Sequence, residues 1–193
     1  MSVADLAVKV FNGLFLSGLN AATSQNEINN KRINIIVSVC NTSNSIFPKV
    51  MQHMVINIPD DKDTNIIQHL DSGTQFINDA HTSGNPVLVH CEQGISRNVT
   101  LVVAYLMKYL LNGKLVDELL DMIRKMRSQA KCVWGNSVPN SSFYAQLDLY
   151  EDMGMVLDPI SEPYKIDNLG KDPESVKAGN LELDPNETLI CYN

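Results

Sequence analysis

Cys91 and Arg97 stand with five residues between them, Glu92, Gln93, Gly94, Ile95 and Ser96. Val87 to Val89 precede the pair, behind a Gly84-Asn85-Pro86 breaker, and read as a short buried strand. The almost wholly apolar run Val99 to Leu111 follows and reads as a helix through the core. A tight loop between strand and helix aims several backbone N–H groups and the positive end of a helix dipole at one point, which makes an anion site. Dipoles that hold an oxyanion also hold a thiolate, so Cys91 is placed to act as a nucleophile. Arg97 has the planar fork that pairs two phosphate oxygens at once. The chemistry these types suit is attack of a thiolate on phosphorus. Amides from Glu92 to Arg97 and the Arg97 guanidinium would hold the equatorial oxygens as charge spreads over them. Ser96 is expected to brace the loop, by donating to a backbone carbonyl or to the thiolate. No cofactor and no metal is expected, because Arg97 and the helix end supply the positive charge. The departing oxygen still needs a proton.

The elements that must position this loop are legible as alternating patterns. Val8 to Ser17 reads as two strands turning at Asn12-Gly13. Ala21 to Asn30 is helix-permissive, with Ser24 as a cap. Ile33 to Cys40 is rich in β-branched residues and reads as a buried strand; Val55 to Ile58, stopped by Pro59, reads as another. Asn65 to Thr82 and Leu115 to Gln129 have helical periodicity, the latter with Leu115, Leu119, Met122, Ile123 and Met126 on one face. Ser141 or Ser142 is expected to cap a helix from Phe143 to Met153. Strands interleaved with helices predict an α/β three-layer sandwich around a mixed, mostly parallel sheet. The Cys91 loop then falls at the carboxyl end of a strand, where open α/β sheets bind ligands.

The string VLVHCEQGISR followed by TLVVAYLM resembles the dual-specificity branch of the cysteine-dependent protein tyrosine phosphatases. Phe15-Leu-Ser-Gly18, Phe76-Ile77 and Pro139-Asn140-Ser-Ser-Phe143 through Gln146-Leu147 to Tyr150-Glu151 resemble further landmarks, over roughly residues 8–153. The resemblance implies a protein tyrosine phosphatase-like fold. It also implies hydrolysis of phosphotyrosine and phosphoserine/threonine through a cysteinyl-phosphate intermediate on Cys91. Counting back from Phe76-Ile77 places Asp60 on the family's general-acid position, with Asp61 as substitute and Asp63 as a helix-terminal charge. The same resemblance makes His90 a buried, hydrogen-bonded support and Asn140 a supporting residue. His53, His69 and His81 have no partners in spacing and read as surface or helix histidines.

Three departures bear on the chemistry. Asn98 stands where the family has Ser or Thr, whose hydroxyl assists departure of the thiolate; its amide could donate in that place. Glu92 and Gln93 put an acid beside the incoming dianion and argue against phosphoinositides or 5′-triphosphates. The stretch Ser128 to Val138, with Cys132 and Trp134, is longer than the family's usual link. Asn98 and Glu92 keep open the alternative of a weak or inactive phosphatase-fold module that binds phosphorylated proteins.

The 193 residues carry a net charge of −7, which counts against nucleic-acid and membrane partners and against an RNA 5′-phosphatase. No apolar run reaches transmembrane length and no signal peptide is read at the start. Four scattered cysteines without a CxxC pair argue for a reducing, cytoplasmic or also nuclear setting. Cys40 reads as an inert buried thiol. The partners that the family resemblance implies are phosphorylated proteins. Two regions are expected: a catalytic domain over 1–155, and an acidic, Pro-containing extension over 156–193 that carries −5 of the charge and is largely irregular.

Overall fold

The computed structural model describes residues 6–40, 47–48, 50–130, 138–158, 160–161, 164 and 187–191. Cys132, Trp134 and most of the acidic extension lie outside the described residues. Strands β1 (Val8–Phe11) and β2 (Leu14–Ser17) form an antiparallel hairpin. Gly13 closes it at φ +74°, a conformation that needs no Cβ. Helices α1 (Leu19–Ala22) and α2 (Gln25–Lys31) follow, and the Ser24 side chain accepts from Glu27 N–H as the expected cap. Strands β3 (Ile35–Val39) and β4 (Gln52–Ile56) lead to a 3-10 turn at Ile67–His69 and helix α3 (Leu70–Thr82).

Strand β5 (Val87–His90) feeds helix α4 (Arg97–Tyr105), which continues as a π-helical segment, Leu106–Leu110. Helices α5 (Val116–Gln129) and α6 (Ser141–Asp152) complete one face, and strand β6 (Glu187–Cys191) closes the sheet. Among the described residues the sheet has order β1-β2-β5-β3-β4-β6. Its inner pairs β2/β5, β5/β3 and β3/β4 are parallel and its two edge pairs antiparallel. This is the mixed, mostly parallel sheet that the pattern predicts.

Period-two alternation sends side chains to both faces, and both are buried. Ile35, Val37, Val87 and Val89 pack with Leu70, Ile77, Val99, Leu119 and Phe143 on the α3–α6 side. Ile36 and Leu88 pack with Ala22 and Ile28 on the α1–α2 side.

Three expectations need correction. Strand β4 starts at Gln52 instead of Val55, because β3 pairs with it from Ile35↔Gln52 to Val39↔Ile56. The α6 cap is Asn140, not a serine: its Oδ1 accepts from Phe143 N at 2.9 Å. On α5 the buried residues are Val116, Leu119, Leu120, Ile123 and Arg127, whereas Leu115 is exposed at the cap. The extension, expected to be largely irregular, supplies one strand among its described residues. β6 pairs antiparallel with β4, Tyr164 is buried in the core, and Leu157 N–H donates to Asp71 Oδ2 at 2.8 Å.

Candidate active site

Residues 91–96 link the carboxyl end of β5 to the first turn of α4, so the helix N-terminus faces the loop. The loop's shape depends on Gly94. Its φ is +78°, and a Cβ there would lie 2.6 Å from Gly18 N and 2.8 Å from Ser17 O. Gly94 N–H donates to Cys91 Sγ at 3.2 Å, so one loop amide already serves the sulfur. Leu19 N–H donates to Glu92 O at 3.0 Å and ties the loop to the start of α1.

Cys91 is fully buried at the base of this turn. Its Sγ lies 3.1 Å from Asn98 Oδ1, as a thiol donating to that oxygen. The orientation of the Asn98 amide is fixed by the backbone. Nδ2 donates to Ser17 O (3.0 Å) and Val89 O (3.4 Å), while Oδ1 accepts from Val99 N (3.0 Å). The expectation that the Asn98 amide donates toward the sulfur is therefore corrected, because its N–H groups are committed elsewhere.

Arg97 is buried, and the protein's own oxygens engage it. Nη1 donates to Ile58 O at 3.0 Å. Nε lies 3.5 Å from Asp60 Oδ2, in ion-pair range but without a hydrogen bond, and Nη2 lies 3.8 Å from Glu92 Oε2. Above this cation opens a cavity of about 590 Å³ lined by Asn57, Ile58, Pro59, Asp60, Glu92, Gln93 and Arg97.

Asp60 is built into the site from three elements. Its Oδ1 accepts from Ser96 Oγ and from Asn140 Nδ2, both at 2.8 Å. Asn140 N–H in turn donates to Ser96 Oγ at 3.1 Å. Ser96, expected to donate to a backbone carbonyl or to the thiolate, instead donates its hydroxyl to Asp60. Asp61 faces away, its Oδ1 accepting from Asp63 N, Thr64 N and Thr64 Oγ1, and those bonds hold its carboxyl below the usual range. Asp63 is exposed in the same turn, outside any helix.

His90 is fully buried and makes two contacts, Nε2 to Ser38 Oγ (2.5 Å) and Nδ1 to Cys91 O (3.2 Å). Desolvation pushes its pKa down to about 3, so it stands neutral as a support. Cys40 is a buried free thiol, pushed up to about 12 by desolvation against the opposing pull of Arg97. His53 is a buried strand residue, neither surface nor helical; His69, buried in the 3-10 turn, and His81, on α3, are helical as expected, and His81 Nδ1 meets Tyr105 OH at 2.7 Å.

Residues 14–153 match the family model described as dual specificity phosphatase, catalytic domain. The chain belongs to the dual specificity phosphatase family. Mouse dual specificity protein phosphatase 12 is 32% identical over 93% of this chain and 52% of its own length, so the chain spans about half of that relative. Arabidopsis thaliana dual specificity protein phosphatase 1 is 34% identical over 73% of this chain and 67% of its own. The Yvh1 phosphatase domain from Chaetomium thermophilum superposes with a TM-score of 0.64 at 30% identity, covering 80% of this chain and 99% of that one. Residues 14–153 are thus a protein phosphatase catalytic domain, of a family that acts on phosphorylated proteins. Among the described residues no helix is long and apolar enough to cross a membrane.

Sequence reasoning about this dual specificity phosphatase domain missed Arg127, which is fully buried on α5 and donates through Nη1 to Gly94 O. A signal existed: four residues after Ile123, the helical period puts position 127 on the face that packs inward. Ser38 and His53 gave no comparable signal, being brought to His90 only by strand order.

Proposed function

We propose that the protein hydrolyses phosphotyrosine and phosphoserine/threonine esters of proteins, with Cys91 as nucleophile, Arg97 as phosphoryl clamp and Asp60 as general acid. The observation that carries this is the shared placement of the three groups. Cys91 and Arg97 end one loop whose Gly94 N–H meets the sulfur, and Asp60 lies 3.5 Å from Arg97 Nε. In the first step the Cys91 thiolate forms an S–P bond as the ester oxygen departs with the Asp60 proton. In the second, water gives its proton to Asp60 and breaks the S–P bond, releasing phosphate and the thiolate. Loop amides from Glu92 to Arg97 and the guanidinium hold the equatorial oxygens, while Asp60 and Glu92 give way at Arg97. His90 and Asn140 support the loop and the acid. The free thiols of Cys40 and Cys91 favour a reducing, cytoplasmic setting. We place the catalytic unit at 1–155 and treat 156–193 as an extension that adds an edge strand.

The test is turnover of phosphotyrosine and phosphothreonine peptides and an aryl phosphate, with vanadate as inhibitor. Cys91→Ser should abolish turnover and leave the fold and vanadate binding intact. Turnover near the parent level in that variant removes Cys91 from the nucleophile's role. A second reading, capture of phosphorylated proteins with little turnover, is favoured by Asn98, whose oxygen faces the sulfur. One fast phosphoryl transfer followed by a stalled intermediate would select it.

A further inference from the structure

A polar chain runs across the sheet into the loop. Ser38 of β3 lies between His53 of β4 and His90 of β5, and all three are buried. Ser38 Oγ is 2.6 Å from His53 Nε2 and 2.5 Å from His90 Nε2, and His90 Nδ1 is 3.2 Å from Cys91 O. The Phe47 ring sits 4.6 Å from the His53 ring and 5.3 Å from the His90 ring.

Counting protons gives the chain a direction. A carbonyl only accepts, so His90 Nδ1 carries the hydrogen. His90 is neutral, so its Nε2 is a bare acceptor and takes the one Ser38 hydroxyl proton. Ser38 Oγ must then accept from His53, which makes His53 the Nε2–H tautomer. Its Nδ1 is left as a buried lone pair without a hydrogen-bond partner. The reverse order would satisfy no more of His53 and would set the His90 Nδ1 lone pair against Cys91 O. An unpaired buried acceptor is costly, and a strand residue present only for packing would not bring one.

We propose that His53 is a positioning residue for the Cys91 loop. By donating to Ser38 it sends the hydroxyl proton to His90, and so keeps His90 in the tautomer that clamps the Cys91 carbonyl. The Cys91–Glu92 peptide is planar and trans, so holding its oxygen toward His90 aims Glu92 N–H the opposite way. The catalytic consequence rests on the phosphatase reading above; the proton order does not.

The experiment uses the full chain with ring-nitrogen-labelled histidine, compared with His53→Leu, His53→Gln and Ser38→Ala. In the parent, NMR should show His90 as a single tautomer, protonated at Nδ1 and bare at Nε2. His53→Leu and Ser38→Ala should give mixed His90 tautomers. Vanadate affinity should fall roughly five- to tenfold in both, the size set by one buried hydrogen bond. Where turnover is measured, kcat should fall alongside with KM nearly unchanged. His53→Gln, whose Nε2 still donates to Ser38, should restore the single tautomer and the affinity. A single, unchanged His90 tautomer with parent-like vanadate affinity in His53→Leu overturns the proposal, as does a parent His90 protonated at Nε2. Both readouts work without turnover, so a failed phosphatase assignment is told apart from a failed role for His53.

Discussion

Asn98 turns its side-chain oxygen, not its N–H, toward Cys91 Sγ at 3.1 Å, and Ser17 O and Val89 O hold it that way. A thiol can donate to that oxygen; a departing thiolate finds an acceptor where a donor would help. Breakdown of the phosphoryl-cysteine is therefore expected to limit turnover. Rapid-quench kinetics on an aryl phosphate should show a burst. Asn98→Ser, which places a hydroxyl there, should shrink the burst and raise steady-state kcat by roughly tenfold or more, since a hydrogen bond to a charged group contributes ~1.5–3 kcal/mol. The same change removes the bonds to Ser17 and Val89, so Tm should fall while turnover rises. A parent without a burst, or a serine variant no faster, sinks the argument.

Asp60 is held by Ser96 and Asn140 beside Arg97, and Asp61 by Thr64 away from the cavity. Asp60→Asn keeps an acceptor for both donors but has no proton of the right kind to give. In kcat/KM, which reports the S–P bond-forming step alone, a nitrophenyl ester should change little, while an alkyl or phenyl phosphate drops ~10²- to 10⁴-fold. Asp61→Asn should leave both near parent levels. Equal losses for both leaving groups in Asp60→Asn would move the acid to another residue.

Glu92 is 70% exposed on its side chain and sits 3.8 Å from Arg97 Nη2, so a substrate dianion meets it on entry. Solvent screens a charge at that exposure, and the effect of removing it should be modest. Glu92→Gln should lower KM for an aryl phosphate by roughly two- to fivefold at low ionic strength, with the advantage fading at 0.5 M salt, where the Debye length is only a few ångströms. A KM that does not respond, or a benefit insensitive to salt, would mean that the Glu92 charge does not oppose the entering dianion.

Much of this site is legible in the sequence because it is local. An apolar triplet, a breaker, seven loop residues and an apolar helix put Cys91, Gly94 and Arg97 in place within one stretch. Ser24 and Gly13 behave as their types dictate. The rest depends on contacts between distant residues. Ser38 meets His90 across 52 positions, Asn98 meets Ser17 across 81, and Asn140 meets Asp60 across 80. No periodicity encodes which end of an amide faces a sulfur. Strand β6 was invisible for a related reason: five residues in an acidic, Pro-containing context become a strand only because β4 offers an unpaired edge.

Burial of two histidines gives the fold an acid limit. Desolvation first, then neighbouring charge in the case of His90, pushes His53 down to about 4 and His90 to about 3, against an ordinary 6.5. Between those values the unfolded chain binds protons that the folded one does not, so stability rises with pH. It is full above pH 6.5 and is lost as pH falls from there toward 4 and 3, at about 1.4 kcal/mol per pH unit for each histidine. Burial raises the Asp71 carboxyl, but the Lys108, Tyr150 and Leu157 donors lower it overall, and that adds the same sign only below 3.8. Urea unfolding at pH 7, 6, 5 and 4.5 should show this decline, and His53→Gln should flatten it by one histidine's share. A parent equally stable at pH 7 and 4.5 would show that these rings do not stay neutral.

Arg127 connects α5 to the nucleophile's loop through Gly94 O, and Gly94 is the residue whose N–H meets Cys91 Sγ. Arg127→Met keeps much of the buried stem and deletes the donor. The Gly94 carbonyl then lies unpaired against the helix, a loss of ~1–3 kcal/mol that the loop can relieve only by turning the peptide. Turning it would disturb the Gly94 amide region beside the sulfur. Vanadate affinity and kcat should therefore fall together, by roughly ten- to a hundredfold on that energy scale, while circular dichroism shows the helices intact. Lys at 127 should rescue part of the affinity as a point donor without the guanidinium's fork. If Arg127→Met lowers Tm yet leaves vanadate affinity and kcat untouched, the arginine serves the core alone.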